Sequence, residues 1–147
     1  MKLGTKVRYG TRAMLELALR PPGETTSLKE IAERQGVSQK YLEHLFASLQ
    51  AAGLVRSSRG PRGGYVLSRP PDEIAVREIF EVLEGSEGFA PCSGAPEICE
   101  RYDVCATHDV WQRMHDAAMR VLDQTTLADL SREARERQAA SASMYQI

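Results

Sequence analysis

Cys92, Cys99 and Cys105 are all the cysteines of this 147-residue chain, and His108 follows the last of them by three residues. Thiolates are soft ligands, and with an imidazole beside them they form a donor set suited to an iron–sulfur cluster, a zinc ion or a redox switch. Cysteine also serves as a small buried hydrophobe. The neighbours argue against that use here, because Ser93, Gly94, Pro96, Glu97, Glu100, Arg101 and Asp103 are loop residues rather than core residues. Structural zinc sites favour tight cysteine pairs, about two to four residues apart. Both gaps in this chain are longer.

Composition sets the context for that loop. The chain is long enough for one domain, or for a small domain with an appendage, and 42% of its residues are hydrophobic. It holds no apolar run long enough to span a membrane and no apolar N-terminal leader, so a cytoplasmic protein with reduced thiols is expected. The net charge of −1 conceals an asymmetry. Residues 1–69 carry twelve Lys and Arg against five Asp and Glu, a balance of +7, and residues 70–147 carry seven against fifteen, a balance of −8. Only the first half is suited to a polyanion.

The elements that position these residues follow from local signals. A first helix is predicted from Thr5, as cap, to about Leu19, with Val7, Ala13, Met14, Leu17 and Ala18 inward. Ser27 and Glu30 form a capping box for a short second helix ending at Gly36. Ser38 caps a third helix, whose buried face is Tyr41, Leu42, Leu45, Phe46 and Leu49. Two helices so joined fit a helix-turn-helix. Ser38, Gln39, Lys40, Tyr41, Glu43 and His44 lie at the start of the third helix, the end that enters a major groove. Short helical hairpins also occur in proteins that never meet DNA.

Residues 54–58 and 65–68 read as two strands joined by Arg59-Gly60-Pro61-Arg62-Gly63-Gly64. This is the wing of a winged helix, with Arg59 and Arg62 for the sugar-phosphate backbone or minor groove, and Gly60 and Gly63 for close approach. A phosphate-cradling nucleotide loop would need a helix after the glycines, and a strand follows instead. Wing, helix-turn-helix and basic charge together indicate double-stranded DNA as the partner.

Residues 71–85 read as a connecting helix, 86–106 as the cysteine loop, and 107–130 as a long helix capped by Thr107 together with a short one capped by Thr126. Val110, Trp111, Met114, Ala117, Ala118, Val121 and Leu122 form an apolar stripe at three- and four-residue spacing. The stripe is long for the edge of so small a domain, and a two-fold helix–helix interface is expected on it. Residues 131–147 are polar and are expected to be a disordered tail. The fold class is mainly α with a small β-hairpin wing, a winged helix-turn-helix over residues 1–70 followed by a long dimerisation helix. No nucleophile–base pair or substrate pocket is readable, so an enzyme is not expected.

Several stretches resemble the IscR-type regulators, the iron–sulfur branch of the Rrf2 family: Met-Lys-Leu-Gly-Thr-Lys-Val-Arg-Tyr-Gly at the start, Glu33 to Ser38, Tyr41-Leu42-Glu43, Arg59-Gly60-Pro61 with Gly63-Gly64-Tyr65, and Cys105 with His108 and Trp111. Order and spacing agree across residues 1–130. The resemblance implies a homodimeric winged-helix repressor or activator that carries a 2Fe–2S cluster on Cys92, Cys99, Cys105 and His108 and controls cluster-assembly genes. The first cysteine gap is one residue longer than in the IscR type. Relatives that sense nitric oxide or iron place a 4Fe–4S cluster on the same three cysteines, and some relatives recruit a carboxylate from the partner's first helix. Arg8 stands at that position here, which departs from the latter scheme.

Overall fold

The computed structural model describes residues 2–85 and 89–146. Helix α1 (Thr5–Ala18) buries Val7, Gly10, Ala13, Met14, Leu17 and Ala18 at helical spacing. Gly4, not Thr5, holds its N-cap position, and no side chain caps the helix. Gly10 lets the end of the fourth helix press against α1, since a Cβ there would stand 2.1 Å from Leu83 Cδ1.

Helix α2 (Leu28–Gln35) starts where the Ser27 hydroxyl accepts the Glu30 N–H at 3.2 Å. The Glu30 carboxylate does not complete the expected box. It binds the guanidinium groups of Arg20 at 2.5 Å and Arg34 at 2.7 Å, charge-assisted bonds stronger than one to a neutral N–H. Gly36 ends α2 in the left-handed region, at φ 64°, where a side chain would be strained. Ser38 then caps α3 (Gln39–Ala51) by accepting the Tyr41 N–H.

Strands β1 (Val55–Ser58) and β2 (Gly64–Leu67) pair antiparallel, with Val55 opposite Leu67 and Ser58 opposite Gly64. Thr26 adds a single bridge to Tyr65 on the outer side of β2. A 3-10 turn, Pro71–Glu73, leads to α4 (Val76–Glu84), whose start is held by the Glu78 carboxylate accepting the Ala75 N–H at 3.1 Å. One apolar core runs through α1 to α4, with Met14, Ile31, Leu42, Phe46 and Ile79 completely buried, and it takes in Met119 and Leu127 from further along the chain.

The second half is built differently. A one-turn helix α5 (Pro91–Gly94) and two 3-10 turns, Pro96–Ile98 and Tyr102–Val104, lead into α6 (His108–Gln124), which buries only His108 and Met119. Thr107 does not cap α6 through its side chain. Helix α7 (Leu127–Met144) is capped by Thr126, whose hydroxyl accepts the Asp129 N–H while the Asp129 carboxylate accepts from Thr126.

Helix α7 overturns the expectation of a disordered tail over residues 131–147. The helix continues to Met144, although almost every side chain past Ser131 is exposed. Low hydrophobicity argued for disorder, but Ala, Arg, Glu and Gln are strong helix formers. The Arg132–Asp129 and Arg137–Glu133 pairs support adjacent turns. Ile147 and residues 86–88 of the expected cysteine loop lie outside the described residues.

Candidate functional site

Helix α3 lies with Leu42, Leu45, Phe46 and Leu49 in the core, which turns the other side of its first two turns outward. Ser38, Gln39, Lys40, Glu43 and His44 are exposed, and Tyr41 is half-buried, edge-on to Tyr9 with ring centroids 6.1 Å apart. The Gln39 amide donates to the Glu43 carboxylate at 3.0 Å, so the acid is restrained within its own helix. The hairpin tip is equally open: Arg59, Gly60 and Arg62 are exposed and Gly63 is half-buried. The Gly63 N–H donates to the Gly60 carbonyl at 2.9 Å, and the Thr25 hydroxyl donates to the Arg62 carbonyl. Gln50 near the end of α3 bonds Ser57 of β1, tying the hairpin to α3.

The cysteine loop is a series of tight turns closed by backbone bonds from Ala95 to Pro91, Cys99 to Pro96, Tyr102 to Cys99 and His108 to Cys105. Cys92 lies in α5, while Cys99 and Cys105 follow the two 3-10 turns. All three are free thiols and half-buried. The Cys105 thiol is held below its ordinary range, first by the Thr107 hydroxyl 3.2 Å from its sulfur, then by backbone N–H groups of His108 and Thr107, and by the charge of Arg101. His108 opens α6 and is only 6% exposed. Its ring packs against Tyr102, and its Nδ1 is buried with no hydrogen-bond partner.

Among the described residues, no three His, Cys, Asp or Glu side chains stand close enough together to hold a metal ion. The loop brings Cys105 next to the start of α6 but does not gather Cys92, Cys99, Cys105 and His108 into one shell. The donor chemistry nevertheless fits an iron–sulfur group: three reduced thiols, and an imidazole whose orphaned buried nitrogen is available as a ligand.

The apolar stripe of α6 divides. Val110, Trp111, Met114 and Val121 are 53%, 42%, 36% and 63% exposed, and Ala117 is exposed too. Ala118 and Leu122 are half-buried, with Leu122 packed on the core. Between this face, the N-terminal residues and the end of α4 runs a groove of about 940 Å³, lined by Leu3, Phe80, Phe89, Trp111 and Val121 among others.

Three further side chains make contacts beside these residues. Thr25 contacts the wing from 37 residues away, which no local pattern announces. His115 lies edge-on to Phe89 with a buried, unpartnered Nδ1. It follows His108 by seven residues, and that two-turn spacing was a readable signal. Arg69 bonds both the Glu73 carbonyl and the Glu78 carboxylate, tying the end of the wing to α4. Among the described residues, no helix is long and apolar enough to cross a membrane.

Residues 3–133 match the Rrf2 family, described as iron-dependent transcriptional regulators. The chain is 42% identical to the regulator IscR of Aliivibrio salmonicida, over 88% of this chain and 77% of that protein. It is 46% identical to the regulator CymR of Bacillus subtilis, over 89% and 90%. Among solved structures, IscR of T. potens superposes with a TM-score of 0.78 at 43% identity, covering 94% of this chain and 91% of that one. CymR of B. subtilis, described as the global cysteine regulator, gives 0.76 at 43%, covering 90% and 98%. These relatives are regulators of transcription, not enzymes.

Proposed function

The chain belongs to the Rrf2 family of DNA-binding transcriptional regulators, and on that premise we propose that its DNA binding is controlled by an iron–sulfur cluster held in the loop of residues 92–108. The observation that carries this reading is the loop itself: three half-buried free thiols and His108, with its buried, unpartnered Nδ1, lie between the winged half and the exposed face of α6. Cys92, Cys99, Cys105 and His108 are the ligands. The cluster is 2Fe–2S, with 4Fe–4S as the alternative. Bound there, it supplies a reversible, redox-active crosslink between distant points of one loop.

The chain's own residues do the rest. Ser38, Gln39, Lys40, Tyr41, Glu43 and His44 meet an operator duplex in the major groove, and Arg59 and Arg62 flank it from the wing. Two copies join through Val110, Trp111, Met114, Ala117 and Val121 of α6, with Ala118 and Leu122 backing that face. A group held by Cys92, Cys99, Cys105 and His108 would order the loop beside the first turn of α6. Moving α6 changes the spacing of the two recognition helices, which couples the loop to DNA affinity. The protein works in the cytoplasm, and cluster-assembly genes are its targets.

A second reading is favoured by the 46% identity to CymR: a regulator on the same scaffold that responds through its thiols without iron. Anaerobic purification followed by iron and sulfide analysis and an absorption spectrum separates the two. A 2Fe–2S spectrum with two irons per chain supports the first reading. Iron-free protein that remains so after reconstitution, and whose duplex affinity changes on thiol oxidation, supports the second.

A further inference from the structure

Thr25 sits in the loop between α1 and α2, in a stretch, Glu24-Thr25-Thr26-Ser27, that reads as a linker. Its hydroxyl donates to the Arg62 carbonyl oxygen at 2.5 Å. The next residue continues the attachment: the Thr26 N–H donates to the Tyr65 carbonyl at 3.0 Å, and the Tyr65 N–H to the Thr26 carbonyl at 2.9 Å. The two segments lie so close that a Cβ on Gly64 would stand 2.5 Å from the Thr26 carbonyl oxygen. On the other side of the tip, a Cβ on Gly63 would stand 2.6 Å from the Ser58 carbonyl oxygen. The tip is therefore held from both sides by backbone, and the Thr25 hydroxyl is the side-chain contact that fixes the peptide carrying Arg62.

A two-stranded hairpin is marginally stable on its own. Its tip would sample many orientations, and each contact with DNA would cost the entropy of choosing one. We infer that Thr25 is a positioning residue for the wing: its hydroxyl pre-orients the peptide of Arg62, so that the guanidinium meets the sugar-phosphate backbone without that cost. The inference rests on the reading of the wing as a DNA contact.

The test uses the full chain with a short, fluorescent, mixed-sequence duplex, titrated over a series of salt concentrations. Thr25→Val keeps the branched shape and removes the donor. It should weaken binding about fivefold, the typical weight of one hydrogen bond. Thr25→Ser should recover the lost affinity. In an Arg62→Ala background, Thr25→Val should cost nothing further, because its effect passes through Arg62. An equal loss in that background would show that Thr25 acts elsewhere and would overturn the inference. So would parent-like binding by Thr25→Val when Arg62→Ala binds weakly. If Arg62→Ala itself leaves affinity unchanged, Arg62 makes no DNA contact and the Thr25 inference falls, while the wing reading stands or falls with Arg59→Ala.

Discussion

Tyr102 lies against His108 with ring centroids 4.2 Å apart and planes at 57°, over an imidazole whose buried Nδ1 meets no partner. A buried polar atom without a hydrogen bond is costly, and a ligand held by His108 would relieve that cost. His108→Cys should retain iron, since a thiolate replaces one soft donor with another. His108→Ala should lose the cluster or hold it weakly. Iron per chain and the visible spectrum after anaerobic purification check both variants. A His108→Ala protein with the parent's spectrum and iron content would move the fourth ligand elsewhere.

The wing arginines are exposed and outside every ion pair among the described residues. Arg59→Ala and Arg62→Ala should each weaken duplex binding and lower its salt slope by about one unit per lost phosphate contact. Thermal unfolding should not change, because neither side chain packs in the core. Unchanged affinity in both variants would remove the wing from the DNA interface.

Glu43 is an exposed carboxylate on the helix proposed to face a polyanion, braced by Gln39 at 3.0 Å. Such an acid costs affinity unless a cytosine amino group receives it. Glu43→Ala should broaden the set of bound sequences in a selection from random duplexes, while general affinity holds or rises. A uniform loss over all sequences would give Glu43 a structural part instead.

Met114 is more than a third exposed in the single chain, so Met114→Glu should fold normally. Across a two-fold interface the same charge is buried without a partner, which is strongly unfavourable. Sedimentation should report monomers. A variant still dimeric at micromolar concentration would place the interface on another face.

The Asp129 carboxyl is held below the usual carboxylate range by the Thr126 N–H, then by the Thr126 hydroxyl and Arg132. A depressed folded-state pKa contributes stability that is present above the unfolded value and is lost as pH falls through the folded one. Asp129→Asn should therefore lower the melting temperature at neutral pH. The difference from the parent should shrink as the solution is acidified below the ordinary carboxylate range. A constant difference down to strong acid would show that the charge plays no part at the start of α7.

Much of the winged half was legible because its signals are local. Ser27, Gly36 and Ser38 punctuate α2 and α3 as their side chains and φ angles require, and the apolar spacing of α3 selects its buried face. The donors of the loop were legible by residue type, but their arrangement depends on turns that no periodicity announces, and the described residues do not gather them. Thr25 escaped notice because its partner is remote in sequence. The polarity of the tail points to disorder, whereas its helix propensity and the Thr126 cap carry α7 to Met144.

If, as proposed, the loop of residues 92–108 controls DNA affinity through iron, removing the iron changes how the protein binds a duplex. The decisive measurement is the duplex affinity of anaerobically purified protein before and after iron is removed by chelation. Affinity, or the choice among sequences, should change on removal and return on reconstitution, and a Cys92→Ala protein should not respond. Identical binding by iron-loaded and iron-free protein across all sequences would contradict the proposal.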